Sequence, residues 1–147
     1  MIYSLINKMP EDQLIRKYVG VPYQHRGRSM DGLDCWGVIR MIYADHGIDV
    51  IDLEQYDLKW ARQGKDHFLG NYSSSWIKIE LTAQLECLDV ILFFNDLGVA
   101  SHAGIYLSKG RFIQAVARSG VVVTPLNQIW RGKTEGIYRY DKNLICK

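Results

Sequence analysis

A thiol becomes a useful nucleophile when a base can draw off its proton and its surroundings favour the thiolate. This chain offers three cysteines, Cys35, Cys87 and Cys146, and four histidines, His25, His46, His67 and His102. Cys35 follows Asp34 and begins the clearest helical pattern in the sequence. Its sulfur is therefore expected beside unpaired backbone N–H groups and the positive end of the helix dipole, where a thiolate is stabilised. The same N–H groups could hold the oxyanion of a tetrahedral intermediate. On position alone a buried, inert cysteine is the competing reading. Cys87 precedes an apolar run and is expected to pack, while Cys146 is expected to fray near the C-terminus.

Among the histidines, His25 in a basic loop, His46 beside Asp45 at a helix end and His67 in a polar stretch read as solvated surface residues. His102 differs: it begins an apolar strand directly after a turn, which holds an imidazole firmly at an open edge. Twelve residues on, Gln114 interrupts the apolar run Phe112-Ile113-Gln114-Ala115-Val116. A hairpin turn at Ser108-Lys109-Gly110 brings His102 and Gln114 close to opposite one another on adjacent strands. The Gln114 carbonyl is then placed to accept the His102 Nδ1–H, leaving Nε2 toward the thiol. A glutamine that merely faces solvent is the plainer alternative.

These residues need a frame to hold them. Pro10-Glu11-Asp12 makes a first helical turn, with Leu14, Ile15, Tyr18 and Val19 on one face and Gly20 as the stop. A glycine-bearing basic loop runs from Val21 to Leu33. A second helix opens at Asp34 and carries Trp36, Val38, Ile39, Ile42 and Tyr43 before Gly47, and Asp52 is expected to cap a third. Beyond it the period shortens. Leu88 to Phe94, Ala103 to Leu107, Arg111 to Ala115, Val121 to Thr124 and Gly136 to Tyr140 read as short strands separated by turns. The gaps are too short for crossover helices, so the expected class is α+β, helices first and an antiparallel meander second.

The 147 residues, 48% hydrophobic and 23% charged, fit one folded domain over residues 1–147 and exclude a disordered chain. Eighteen basic against sixteen acidic residues leave a net charge of +2, which offers no electrostatic reason to propose nucleic acid or an anionic membrane as partner. Apolar runs such as Val90 to Phe94 are too short to span a bilayer. The first residues lack a basic region followed by an apolar stretch, so cytoplasmic synthesis without a cleaved leader is expected. Widely spaced cysteines suggest no disulfide framework, and no His/Cys/Asp cluster has ligand spacing; neither a metal nor an organic cofactor is expected.

Four segments, in order, resemble the NlpC-type cell-wall cysteine peptidases: Tyr18 to Tyr23 with Asp31-Gly32-Leu33-Asp34-Cys35-Trp36-Gly37, Leu88 to Phe94, Ser101-His102-Ala103-Gly104-Ile105-Tyr106-Leu107, and Gly110-Arg111-Phe112-Ile113-Gln114-Ala115. The resemblance implies a papain-like fold and hydrolysis of bacterial peptidoglycan stem peptides, typically between D-glutamate and a diamino acid. By position it makes Cys35 the nucleophile, His102 the base and Gln114 the orienting third member. Tyr23 then approaches the nucleophile and the oxyanion, with Asp34, Trp36 and Ser101 completing the oxyanion and substrate-binding set; Asp34 reads mainly as a helix cap.

Three positions depart from the family's pattern. Gln114 replaces a histidine, and Trp36 replaces a small serine, which questions the usual recognition of a substrate amine. Leu88 replaces the glycine before Asp89, a change expected to affect only a turn. The Asp-Cys-Trp-Gly form and the ending Trp130 to Tyr140 look most like the branch in phage and prophage tail proteins, which implies tail proteins as partners and delivery to the cell wall. A tail-assembly domain with little catalysis, and an amidase or acyltransferase on the same scaffold, are the competing functions.

Overall fold

A computed structural model of the chain describes residues 9–50, 52 and 76–140. The helix α1, Glu11–Tyr18, starts after Pro10 with Glu11 and Asp12 in its first turn and Arg16 and Lys17 in its last, each charge favouring the local end of the helix dipole. Leu14 and Tyr18 are buried, whereas Val19 lies just past the helix and is exposed, so it does not extend the apolar face. A loop follows, tied by the two-residue strands β1, Arg28–Ser29, and β2, Gly32–Leu33. Next comes the helix α2, Cys35–Asp45, capped by Asp34.

The sheet is antiparallel and six-stranded. Its strands are β3, Trp76–Ile79; β4, Val90–Phe94; β5, Ala100–Tyr106; β6, Arg111–Val116; β7, Gly120–Pro125; and β8, Thr134–Tyr140. The order is β3-β8-β4-β5-β6-β7. β4 to β7 form the expected meander, but β8 returns to pair with β4 on its far side. A short helix, α3, Gln128–Gly132, carries the chain back. Neither α3 nor β3 was expected from the sequence, because each is too short to display a period. The proposed third helix after Asp52 lies outside the described residues.

Alternation sorts the sheet's side chains onto two faces. One face presents Val90, Leu92, Ala103, Ile105, Ile113, Ala115 and Val121 to Val38, Ile39, Ile42 and Tyr43 of α2, with Leu14 and Tyr18 of α1 alongside. Fully burying each branched aliphatic here is worth roughly 1.5–3 kcal/mol. On the opposite face Ile91, Phe93, Phe112 and Leu126 form a second cluster, closed by Trp130 of α3. Leu88, where the family pattern has glycine, adopts φ 77°. A hydrogen bond from the Tyr43 hydroxyl to its carbonyl and one from its N–H to Tyr106 hold that left-handed turn.

Candidate active site

Asp34 builds the first half of the site. As N-cap its carboxylate accepts from the Gly37 N–H at 2.8 Å, which is why Asp-Cys opens the helix here. It also accepts from the Arg26 N–H at 2.9 Å and from Arg28 Nη1 at 2.7 Å. A Cβ on Gly37 would lie 2.1 Å from the Gly27 carbonyl oxygen, so only glycine lets the basic loop pack so tightly over the first turn of α2. Tyr23 is laced to the same place through a bridge to Leu33.

Cys35 is the first residue of α2, and the backbone N–H groups of Ala103 and Trp36 reach its sulfur. Desolvation nevertheless dominates: burial, and then the Asp34 carboxylate, push the thiol up to about 12, only partly opposed by the Ala103 N–H, Arg28 and the Trp36 N–H. The lowering expected from the helix N-terminus is thus opposed by desolvation and by the Asp34 carboxylate, although Cys35 itself is only partly buried. The Tyr23 hydroxyl is also pushed up to about 12, by burial first and then by Cys35 and Asp34, and so remains a hydrogen-bond donor.

The second half rests on β5 and β6. Phe93 pairs with His102 while Phe94 pairs with Ala100, so Ser101 is an extra residue, a bulge immediately before the histidine. Bulges bend a strand and re-aim the next side chain. His102 is accordingly the third residue of β5 rather than its start. Its ring stacks at 5.8 Å on Phe93 and lies 6.3 Å from Trp130.

Gln114 is 2% exposed, which overturns the solvent-facing alternative. Its Oε1 lies 2.7 Å from His102 Nε2, and its Nε2 donates to Thr124 Oγ1 at 2.9 Å. With Oε1 as acceptor, His102 carries its proton on Nε2 and presents Nδ1 as the free base, the reverse of the ring assignment expected from the sequence. The reason is register: Ile105 faces Ile113, so Gln114 falls opposite Gly104 and meets His102 along a diagonal. Burial lowers the His102 pKa, opposed by the Gln114 hydrogen bond and reinforced by Lys133, which favours the neutral ring.

The expected residues separate into groups. Cys35, Tyr23 and Asp34 come together at the start of α2, and β5, which bears His102, reaches the Cys35 sulfur through the Ala103 N–H, with Gln114 on the neighbouring β6. The Trp36 indole is buried in the main core at 2% exposure, and it is the residue's backbone N–H that reaches the Cys35 sulfur. Asp34, equally buried, is spent on the helix cap and two loop contacts, which removes it from a substrate-binding role. Ser101 is half-buried in the bulge. Cys87 is exposed rather than packed, since it stands in the turn before β4. His46 is buried, its Nδ1 2.8 Å from the Ile42 carbonyl oxygen, and not solvated. His67 and Cys146 lie outside the described residues. Sequence reasoning missed Thr124, Trp130 and Arg28, whose roles depend on strand and loop pairings that no local motif signals.

Residues 20–139 match the NlpC/P60 family. The chain belongs to that family. Its fold is papain-like α+β, shared with an NlpC/P60 family protein of Bacillus cereus: TM-score 0.68 and 27% identity, covering 92% of this chain and 41% of that one. Two curated relatives are a gamma-DL-glutamyl hydrolase of Bacillus subtilis and a gamma-D-glutamyl-L-lysine dipeptidyl-peptidase of Bacillus cereus. The first is 30% identical over 142 residues, 95% of this chain and 31% of the relative. The second is 29% identical over 115 residues, 76% of this chain and 30% of the relative. The chain therefore spans about a third of the length of each.

Proposed function

We propose that this NlpC/P60 domain is a cysteine peptidase that hydrolyses γ-D-glutamyl bonds to a diamino acid in peptidoglycan stem peptides. The observation that carries the reading is the His102 Nε2–Gln114 Oε1 contact at 2.7 Å, which leaves Nδ1 as a base on the strand whose next residue, Ala103, meets the Cys35 sulfur through its N–H. The names of both relatives, a gamma-DL-glutamyl hydrolase and a gamma-D-glutamyl-L-lysine dipeptidyl-peptidase, specify γ-glutamyl linkages, which supports the choice of bond.

In this mechanism the resting pair is a neutral thiol and a neutral imidazole. His102 Nδ1 takes the thiol proton as Cys35 Sγ attacks the carbonyl carbon, and Gln114 Oε1 steadies the imidazolium that forms. The oxyanion is held by N–H groups at the start of α2 and by the Tyr23 hydroxyl. Collapse expels the amine, which receives the proton from His102, and a thioester remains on Cys35. Water, deprotonated by His102, attacks that thioester and releases the acid.

Incubating the protein with defined muropeptides and weighing the fragments tests this. Cleavage at the γ-D-glutamyl bond, abolished in Cys35→Ser, is expected. A cut at the sugar–peptide amide, or transfer of the acyl group to an added amine, would instead assign the amidase or transferase reading. The Asp34-Cys35-Trp36-Gly37 form and the Trp130 to Tyr140 ending support delivery by a phage or prophage tail, with tail proteins as partners.

A further inference from the structure

The basic loop before α2 contains a charge that the mechanism above does not use. Arg28 is mostly buried and donates through Nη1 at 2.7 Å to Asp34, itself 3% exposed at its side chain. The same Nη1 also donates to the Gly27 carbonyl at 2.8 Å. Its other edge meets Asp52, with Nη2 3.0 Å and Nε 3.1 Å from Oδ1. Asp52 also accepts from Arg40 Nη1 at 3.1 Å, and Arg40 Nε donates to the Val50 carbonyl at 2.9 Å. A chain of ion pairs therefore runs from the cap of α2, through the loop, to the middle of the same helix and the segment beyond it.

Two carboxylates would otherwise stand close together behind the nucleophile, one of them almost without solvent. A buried carboxylate with no counter-charge is costly and repels a developing thiolate. The planar guanidinium serves a carboxylate on each of two edges and a carbonyl as well, a span that the three donors of a compact ammonium, all on one nitrogen, do not match.

We propose that Arg28 is a positioning residue for the nucleophile: it clamps the Asp34 cap, and through it the first turn of α2, while offsetting the Asp34 carboxylate at the Cys35 sulfur. The inference rests on Cys35 being the reactive thiol, but not on which bond is cut. The charged and titratable groups that act on that sulfur are Asp34 and Arg28 from the cap and loop, with Tyr23 from the preceding segment, while His102, the proposed base, precedes Ala103, whose N–H reaches it. Arg28 acts on the thiol electrostatically in the lowering direction and Asp34 in the raising direction.

The test is iodoacetamide alkylation of the folded protein across pH, with the Cys35 peptide followed by mass and the Cys87 peptide as internal control. Arg28→Gln should move the Cys35 profile to higher pH, slowing labelling at fixed pH by about tenfold, the size of a one-unit shift. Asp34→Asn, whose amide oxygen keeps the helix cap, should move it to lower pH by a similar amount. The double variant should return close to the wild-type profile, and its folding is protected because no buried carboxylate is stranded. Arg28→Lys should sit between wild type and Arg28→Gln. If Arg28→Gln does not fold, the displacement of Asp34→Asn below wild type and the return of the double variant carry the test. A Cys35 profile unchanged in every folded variant, whatever happens to thermal stability, overturns the proposal. Labelling requires no peptidase substrate, so a chain that cuts no muropeptide yet shows these shifts rejects the function while keeping the role of Arg28.

Discussion

The two halves of the site are held by different forces. The Cys35 half is an electrostatic construction: a capped helix end, a buried carboxylate, and two arginines linked through Asp52. Among the described residues, the His102 half contains no ion pair in its immediate frame. Phe93, Phe112 and Trp130 lie edge-on or tilted at 5.1–5.3 Å, and the imidazole rests against them with an amide behind it. A nucleophile whose charge develops in the reaction benefits from tunable charges nearby. A base that must start neutral benefits from a dry aromatic wall, which disfavours its protonated form. Each half therefore supplies the environment its own proton state requires.

The comparison breaks most sharply when a reacting group is removed. His102→Ala should lower kcat on a stem-peptide substrate by about 1000-fold or more, since it removes the proposed general base. It should also lower the rate of Cys35 alkylation while leaving that of the exposed Cys87 unchanged. Circular dichroism should show an intact fold. Equal alkylation of Cys35 with and without His102 would contradict the base assignment.

Next comes the amide. Gln114→Ala should lower kcat by about 10- to 1000-fold with little change in KM, because the contact matters most once the ring is protonated. It also leaves the partly buried Thr124 and His102 without that partner, at a cost of roughly 1 kcal/mol in a denaturant titration. Gln114→His should recover much of the rate. A rate within about twofold of wild type for Gln114→Ala would reduce the site to a Cys35–His102 dyad.

The aromatic wall sharpens the contrast through pH. Burial lowers the His102 pKa, so the free base persists to lower pH than for an ordinary histidine, and the acid limb of kcat/KM should lie below the usual imidazole value. Trp130→Ala admits water and should move that limb up toward the ordinary value, with a stability loss of about 1–3 kcal/mol. Substitutions in the Arg28 half should leave this acid limb in place and move only the thiol. The smallest expected effect lies outside both halves. Lys109 sits at φ 55° before Gly110 at φ 71°, a turn for which Asn-Gly is preferred. Lys109→Asn should raise stability by about 0.5 kcal/mol with unchanged kinetics, measured by denaturant midpoint.

What the sequence determined by itself was local or patterned. Asp34 followed by Cys35 and an apolar 3.6-residue period was enough to place a thiol on a helix start, because a cap and its helix are neighbours in the chain. The Ser108-Lys109-Gly110 turn was enough to set His102 and Gln114 on paired strands, because a tight hairpin leaves few registers. Tertiary structure decided the rest. Which imidazole nitrogen meets Gln114 depends on a diagonal offset of two residues and on the Ser101 bulge, neither visible in a polar/apolar pattern. Whether Trp36 meets substrate or core depends on what packs over α2, and the core took it. The state of the Cys35 thiol depends on desolvation, a sum over everything that excludes water from one atom. The helix end that favours a thiolate is a local feature of the chain; the desolvation and the Asp34 charge that oppose it arise only on folding.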